Sequence, residues 1–177
     1  MNRLPLVALL LLCARAEEFQ IEANIRYSQS SQTVLDILQP RAPALKDRPA
    51  VVVIHNKSAT KEAAGRIIGQ AFIDHGWVVA AVEYREDEAE GDILKAAQWF
   101  VRHAAEYRVD RKKIVVCGGR LARSLASRES GVAAIVELDH AEESPANGRK
   151  GGLPILNLNR DTVPDSAFVW LKKHKIQ

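Results

Sequence analysis

The sequence predicts an α/β fold, with a mostly parallel sheet flanked by helices and an antiparallel hairpin at its amino end. Three observations carry that prediction. Short apolar runs rich in β-branched residues recur at Ala50–His55, Trp77–Val82, Lys113–Cys117, Val132–Leu138 and Leu153–Leu158. Continuous apolar strands of this kind suit a sheet covered on both faces. Segments with helical spacing lie between them, the alternation that strand–helix–strand units require. Ahead of them, Phe19–Tyr27 alternates loosely and Thr33–Leu38 faces it across the polar turn 28–32, which reads as a hairpin.

Taken in order, residues 1–16 read as an export leader. Met1-Asn2-Arg3 gives a positive start, Leu4 to Cys13 an apolar run too short to span a bilayer, and Ala14-Arg15-Ala16 an A-x-A cleavage site. Cleavage is expected near Ala16. The competing reading is a lipid anchor on Cys13, but Leu11 and Leu12 stand where small residues belong. The expected localisation is secreted or periplasmic, with no membrane attachment after cleavage. Residues 17–177 then form a single domain.

The remaining elements follow from punctuation and spacing. After the loop 40–49 and the first apolar strand, Thr60 can cap a helix from Lys61 to about His75, where Gly76 stops it. Gly65 and Gly69 on that helix look like packing positions. Tyr84–Gly91 reads as a charged loop. Asp92–Tyr107 carries Ile93, Ala96, Ala97, Phe100, Val101 and Ala104 on one helical face. Gly118-Gly119 makes a tight turn after the third apolar strand, with a short helix from Leu121 to about Ser127. Asp139–Gly152 reads as loop, and a final helix runs from about Pro164 to His174.

Composition narrows the partners. The net charge is +3, and Arg3 and Arg15 of the leader supply two of those charges, so the rest is close to neutral and no nucleic-acid partner is expected. Removal of the leader would leave Cys117, in an apolar strand, as the remaining cysteine, so it reads as a buried hydrophobe rather than a reactive thiol. There is no Cys/His metal spacing, no Walker-type phosphate loop and no dinucleotide glycine fingerprint. No cofactor or metal is expected.

Several segments, in order, resemble the α/β-hydrolase superfamily, in particular secreted esterases of the acetyl-xylan and feruloyl esterase type and their lipase-like relatives. They are Tyr27–Pro40 with Leu35-Asp36, Val51–His55, Gly76-Trp77-Val78-Val79 with Tyr84-Arg85, Val109-Asp110 with Lys113-Ile114, and Leu153–Leu156 through Asp161 and Val163-Pro164. The resemblance implies a truncated α/β-hydrolase fold. It also implies a serine on a strained strand-to-helix turn, a histidine to take its proton, an acid to orient the histidine, and backbone donors for the oxyanion.

Measured against that pattern the chemistry is degenerate. In Gly118-Gly119-Arg120-Leu121-Ala122, Arg120 stands at the nucleophile position of G-x-S-x-G. A guanidinium is permanently charged and is no nucleophile. Loss of the serine alone removes on the order of a million-fold of rate in a triad enzyme. The family's His-Gly-Gly loop is His55-Asn56-Lys57-Ser58 here: His55 matches as a loop-organising residue, while Asn56 and Lys57 carry side chains where glycines allow close approach. Asp161 matches the acid. With one helix after Asp161, no histidine is expected where the resemblance implies one. His174 reads as a favourable charge at a helix end, and His75, His103 and His140 as surface residues.

Three functional readings follow. The first is a non-catalytic binding or structural remnant taking a small ester, a carbohydrate or an anion. The second is a weak serine esterase with a relocated nucleophile, Ser58 or Ser124. The third is a product of decay, which the unbroken core pattern opposes. Within the first, Arg120 or Arg160 is expected to pair with Asp161 as an ionic plug. Lys57, Arg85, Arg120 and Arg123 are the candidates for an anion-binding rim, against a competing reading as scattered solvated charges.

Overall fold

The computed structural model describes residues 19–125, 130–138, 148–150, 153–158 and 163–176. The leader expectation for residues 1–16, and the readings placed on His140, Arg160 and Asp161, lie outside the described residues.

The strands are β1 (Phe19–Arg26), β2 (Val34–Pro40), β3 (Arg48–Ile54), β4 (Val78–Val82), β5 (Val109–Gly118), β6 (Ala134–Leu138), β7 (Gly148–Lys150) and β8 (Leu153–Leu158). They form one sheet in the order β1-β2-β4-β3-β5-β6-β8-β7. The centre, β4-β3-β5-β6-β8, is parallel. The β1–β2, β2–β4 and β7–β8 pairs are antiparallel. The mostly parallel sheet and the opening hairpin are as the sequence predicts.

Alternate residues of each central strand feed two separate cores. Val52, Ile54, Ala80 and Val116 pack with Ile93, Ala97 and Phe100 of α3 (Ala89–His103) and with Ala122 of α4 (Arg120–Ser124). Val51, Val53, Val79 and Cys117 pack on the other face, with Ala64 of α1 (Lys61–Ile67), Phe72 of α2 (Gly69–Asp74), and Phe168 and Leu171 of α5 (Asp165–Lys173). A strand buried on both faces has no polar side to show, hence the unbroken β-branched runs.

Four boundaries differ from the sequence reading. The helix expected over Lys61–His75 is interrupted at Ile68, which keeps a right-handed φ of −88° and ψ of −46° between α1 and α2. The break falls between Gly65 and Gly69, the two points of closest approach to β4: a Cβ on Gly69 would stand 2.9 Å from Val79 Cγ1, and one on Gly65 3.3 Å from Ala81 Cβ. Both glycines are therefore packing positions, as expected. The helix expected over Asp92–Tyr107 begins at Ala89, after a 3₁₀ turn at Glu86–Glu88, and passes into a second 3₁₀ turn at Ala104–Tyr107. The short helix after the glycine turn covers Arg120–Ser124 rather than starting at Leu121. The segment read as loop between Asp139 and Gly152 contains β7, which pairs with β8.

Candidate functional site

The parallel strands all point their carboxyl ends to one edge, and the chain leaves neighbouring strands β3 and β5 toward opposite faces. After β3 it enters α1, which joins one core; after β5 it enters α4, which joins the other. Such a divergence opens a crevice beyond the strand ends, where open α/β sheets bind their ligands. A cavity of about 210 Å³ lies there, lined by Ile54, Asn56, Ala59, Ala63, Ile67 and Leu138, with His55, Ala64, Ile68 and Gly119 completing it.

The loop after β3 is held from the side. The His55 ring is buried and stacks on Tyr84, ring centroids 4.5 Å apart. Its Nδ1 donates to the carbonyl of Asn56 at 2.8 Å, and its Nε2 faces Oε1 of Glu83 at 3.2 Å. The Tyr84 hydroxyl donates to the His55 carbonyl at 2.7 Å, and burial, with Glu83 and Glu86 nearby, pushes its pKa up to about 12. Tyr27 in turn donates to the Glu83 carbonyl at 2.7 Å. The loop then turns through Asn56, whose carbonyl accepts the N–H of Ala59 at 2.9 Å. Thr60 caps α1 by accepting the N–H of Ala63, as the sequence predicts.

The start of α1 is anchored from β2. The Lys61 ammonium is buried and lies 2.8 Å from Asp36 Oδ2 and 2.6 Å from Glu62 Oε1. Burial works against that charge, but the bonds to Asp36 and Glu62 outweigh it and hold the lysine pKa above its ordinary value. The other Asp36 oxygen accepts the N–H of Asn24 at 2.7 Å, at the β1 bulge where Asn24 takes a φ of 58°. One carboxylate thus fixes the hairpin bulge, β2 and the first turn of α1.

At the glycine turn, the close packing of the family pattern is present and its strain is not. A Cβ on Gly118 would stand 2.6 Å from the Ile54 carbonyl oxygen, and one on Gly119 2.8 Å from Asn56 Oδ1. Glycine is required at the first on steric grounds. Arg120 is exposed and opens α4. Among the described residues, the non-glycine positions with positive φ are Asn24, Arg108 and Lys175, so Arg120 lacks the strained backbone that lifts a nucleophile out of such a turn.

The other candidates are dispersed or engaged. Ser58 is exposed in the turn after β3. Ser124 Oγ donates to the Leu121 carbonyl at 2.8 Å. His75 directly follows α2 and His103 ends α3, at the edge away from the cavity, and each bonds the carbonyl four residues back, Ala71 and Trp99. His103 is half-buried against Trp99 and not a plain surface residue. His174 sits at the end of α5 and bonds the Trp170 carbonyl. Cys117 is buried, and burial pushes its thiol pKa well up. Among the described residues, no group of three or more His, Cys, Asp or Glu side chains could hold a metal ion, and no helix is long and apolar enough to cross a membrane.

The anion-binding rim expected from Lys57, Arg85, Arg120 and Arg123 does not assemble as a set. Arg85 forks onto buried Asp92, with Nε 2.8 Å from Oδ2 and Nη2 2.8 Å from Oδ1, and also reaches Glu88. Arg123 lies 2.8 Å from Glu137, a carboxylate buried at the end of β6. A buried carboxylate needs its cation, so these guanidiniums are internal counter-ions. Lys57 faces a concave surface lined by Glu86, Asp87, Glu88 and Glu90, which is acidic. Glu83, Glu137 and the Lys61–Asp36 pair are functional supports that sequence reasoning missed. The available signal was an acid inside an otherwise apolar run, at Asp36 and again at Glu137.

With this geometry in view, the comparisons with known proteins become specific. A family model described as BD-FAE matches residues 35–144. No curated protein sequence matches the chain. Among solved structures, esterase B from Lactobacillus rhamnosis, inhibited by a tributyrin phosphonate, aligns with a TM-score of 0.58 at 16% identity over 69% of this chain and 49% of its own. A truncated carbohydrate esterase from gut microbiota aligns at 0.59 and 17%, over 70% and 58%. MGS-M1, an α/β-hydrolase enzyme from a Medee basin deep-sea metagenome library, aligns at 0.62 and 17%, over 92% and 80%. The chain spans about half the length of esterase B. At these identities the structural matches establish the shared fold.

Proposed function

The chain belongs to the BD-FAE family of α/β-hydrolase-fold, esterase-type proteins, and from that premise we propose that it does not run the serine esterase cycle but binds a ligand at the cleft the family uses for chemistry. The observation that carries this reading is Arg120, an exposed helical residue where the fold calls for a serine on a strained turn. Two further features support it. The loop after β3 presents Asn56 in place of a glycine, and the His55 ring is turned toward Glu83 and the Asn56 carbonyl. Acyl transfer without a nucleophile and base leaves only binding and oxyanion effects, a residual of about a thousand- to ten-thousand-fold over water.

The test is hydrolysis of p-nitrophenyl acetate by the purified protein, alongside Ser58→Ala and Ser124→Ala. A rate unchanged by either serine substitution is expected. A saturable rate abolished by either serine substitution would establish a relocated nucleophile instead. Export belongs to the same proposal and rests on the leader-like residues 1–16; amino-terminal sequencing of protein recovered outside the cytoplasm should begin near Glu17.

A further inference from the structure

The cavity between the β3–α1 loop and the glycine turn restricts what can be bound, an inference that rests on the cleft-binding reading above. Its walls are alkyl: Ile54, Ile67, Ile68 and Leu138 with Ala59, Ala63 and Ala64. Room is created by small residues, since Ala63 and Ala64 stand on α1, Ala59 on the loop before it, and Gly119 adds no side chain. The volume of about 210 Å³ is below the usual range for drug-sized ligands, which starts at about 300 Å³. It exceeds the roughly 150 Å³ of an apolar cavity that takes up benzene.

The polar inventory is short. Among the described residues, no Lys, Arg, Asp or Glu lines the cavity. The lining side chains with hydrogen-bonding groups are His55, whose ring nitrogens are engaged by Asn56 and Glu83, and Asn56, which is exposed and stands over Gly119. An anion entering would shed water with no cation to receive it, at a cost of several kcal/mol. A sugar would bring several hydroxyls to one amide, and each hydroxyl left without a partner costs about 1–3 kcal/mol.

We propose that the cleft selects a compact, neutral, largely apolar molecule with one hydrogen-bond acceptor for Asn56, and that it rejects both sugars and anions. This departs from the carbohydrate and anionic ligands the sequence leaves open. Ala63 and Ala59 set the size limit, because a longer side chain at either position fills the volume a ligand needs.

Saturation-transfer NMR on the whole protein tests this with three matched probes at low millimolar concentration: ethyl butyrate, sodium butyrate and methyl β-xyloside. Transfer to ethyl butyrate alone is expected, and it should vanish in Ala63→Leu and in Ala59→Leu, with circular dichroism confirming that each variant is folded. The loop position of Ala59 provides a second blocking variant should the helical one be unstable. Absence of transfer to ethyl butyrate, equal transfer to the xyloside or to butyrate, or transfer unchanged in both folded variants overturns the proposal. Ethanol released with the same variant dependence supports the cleft assignment while overturning the non-catalytic reading, so the two are separated in one sample.

Discussion

A side chain on Gly119 would begin 2.8 Å from the amide oxygen of Asn56, so the turn after β5 and the loop after β3 meet through one glycine and one amide. Its neighbour Gly118 is tighter, 2.6 Å from the backbone oxygen of Ile54. The two contacts differ in what can yield. The Ile54 carbonyl sits in the β3–β5 ladder, paired with Gly118 itself, whereas the Asn56 side chain is exposed and can swing away. Gly118→Ala is therefore expected to cost about 1–3 kcal/mol by overpacking, read as a lower urea midpoint. Gly119→Ala is expected to cost less than about 1 kcal/mol while narrowing the cavity mouth.

Lys61 and Asp36 provide a second test. Removing one partner of a buried ion pair leaves an uncompensated charge, so Lys61→Met is expected to lose about 3–5 kcal/mol in urea unfolding. The double variant Lys61→Met with Asp36→Leu should lose less than the sum of the two single variants. It should not return to the starting stability, because the Asn24 N–H at the bulge loses its acceptor with Asp36.

The acid side of the stability profile follows from two carboxylates. The Lys61 hydrogen bond holds Glu62 down at about 2, below its ordinary 4.5. The Arg85 fork holds buried Asp92 below its ordinary value against the opposing effect of burial. A depressed carboxylate binds protons more weakly folded than unfolded, so its contribution is complete above the ordinary carboxylate range and is lost as the pH falls toward the depressed value. Stability measured by urea unfolding should therefore drop from about pH 5 toward pH 2. Arg85→Met should flatten that slope while lowering stability at neutral pH. An unchanged slope in that variant would assign the acid sensitivity to other groups.

Arg123→Met isolates the other internal counter-ion. Glu137 is fully buried with the guanidinium 2.8 Å away, so the variant is expected to lose about 3 kcal/mol. If Arg123 were instead a free rim cation, stability would be nearly unchanged.

Most of the sheet was legible because burial on both faces writes itself as unbroken runs such as Ala50–Val53 and Val78–Val82. The hairpin and the Thr60 cap were equally local. Other features depend on partners distant in sequence. Gly148–Lys150 has no apolar residue and becomes a strand through backbone pairing with β8. The interruption at Ile68 lies between Gly65 and Gly69, which read equally well as packing positions on one continuous helix. At the site, Arg120 at the turn and His55 in the loop could be placed through the resemblance to the family's motifs. That Arg85 and Arg123 neutralise buried acids could not, because Asp92 and Glu137 read as ordinary charges until α3 and β6 are packed.

The most direct measurement is intact-protein mass after incubation with a fluorophosphonate, which forms a stable bond only with an activated serine. An unshifted mass is expected for the natural chain, since Arg120 occupies the turn. A stoichiometric adduct mapped to Ser58, Ser124 or any other serine would contradict the loss of nucleophilic chemistry and make this an active esterase.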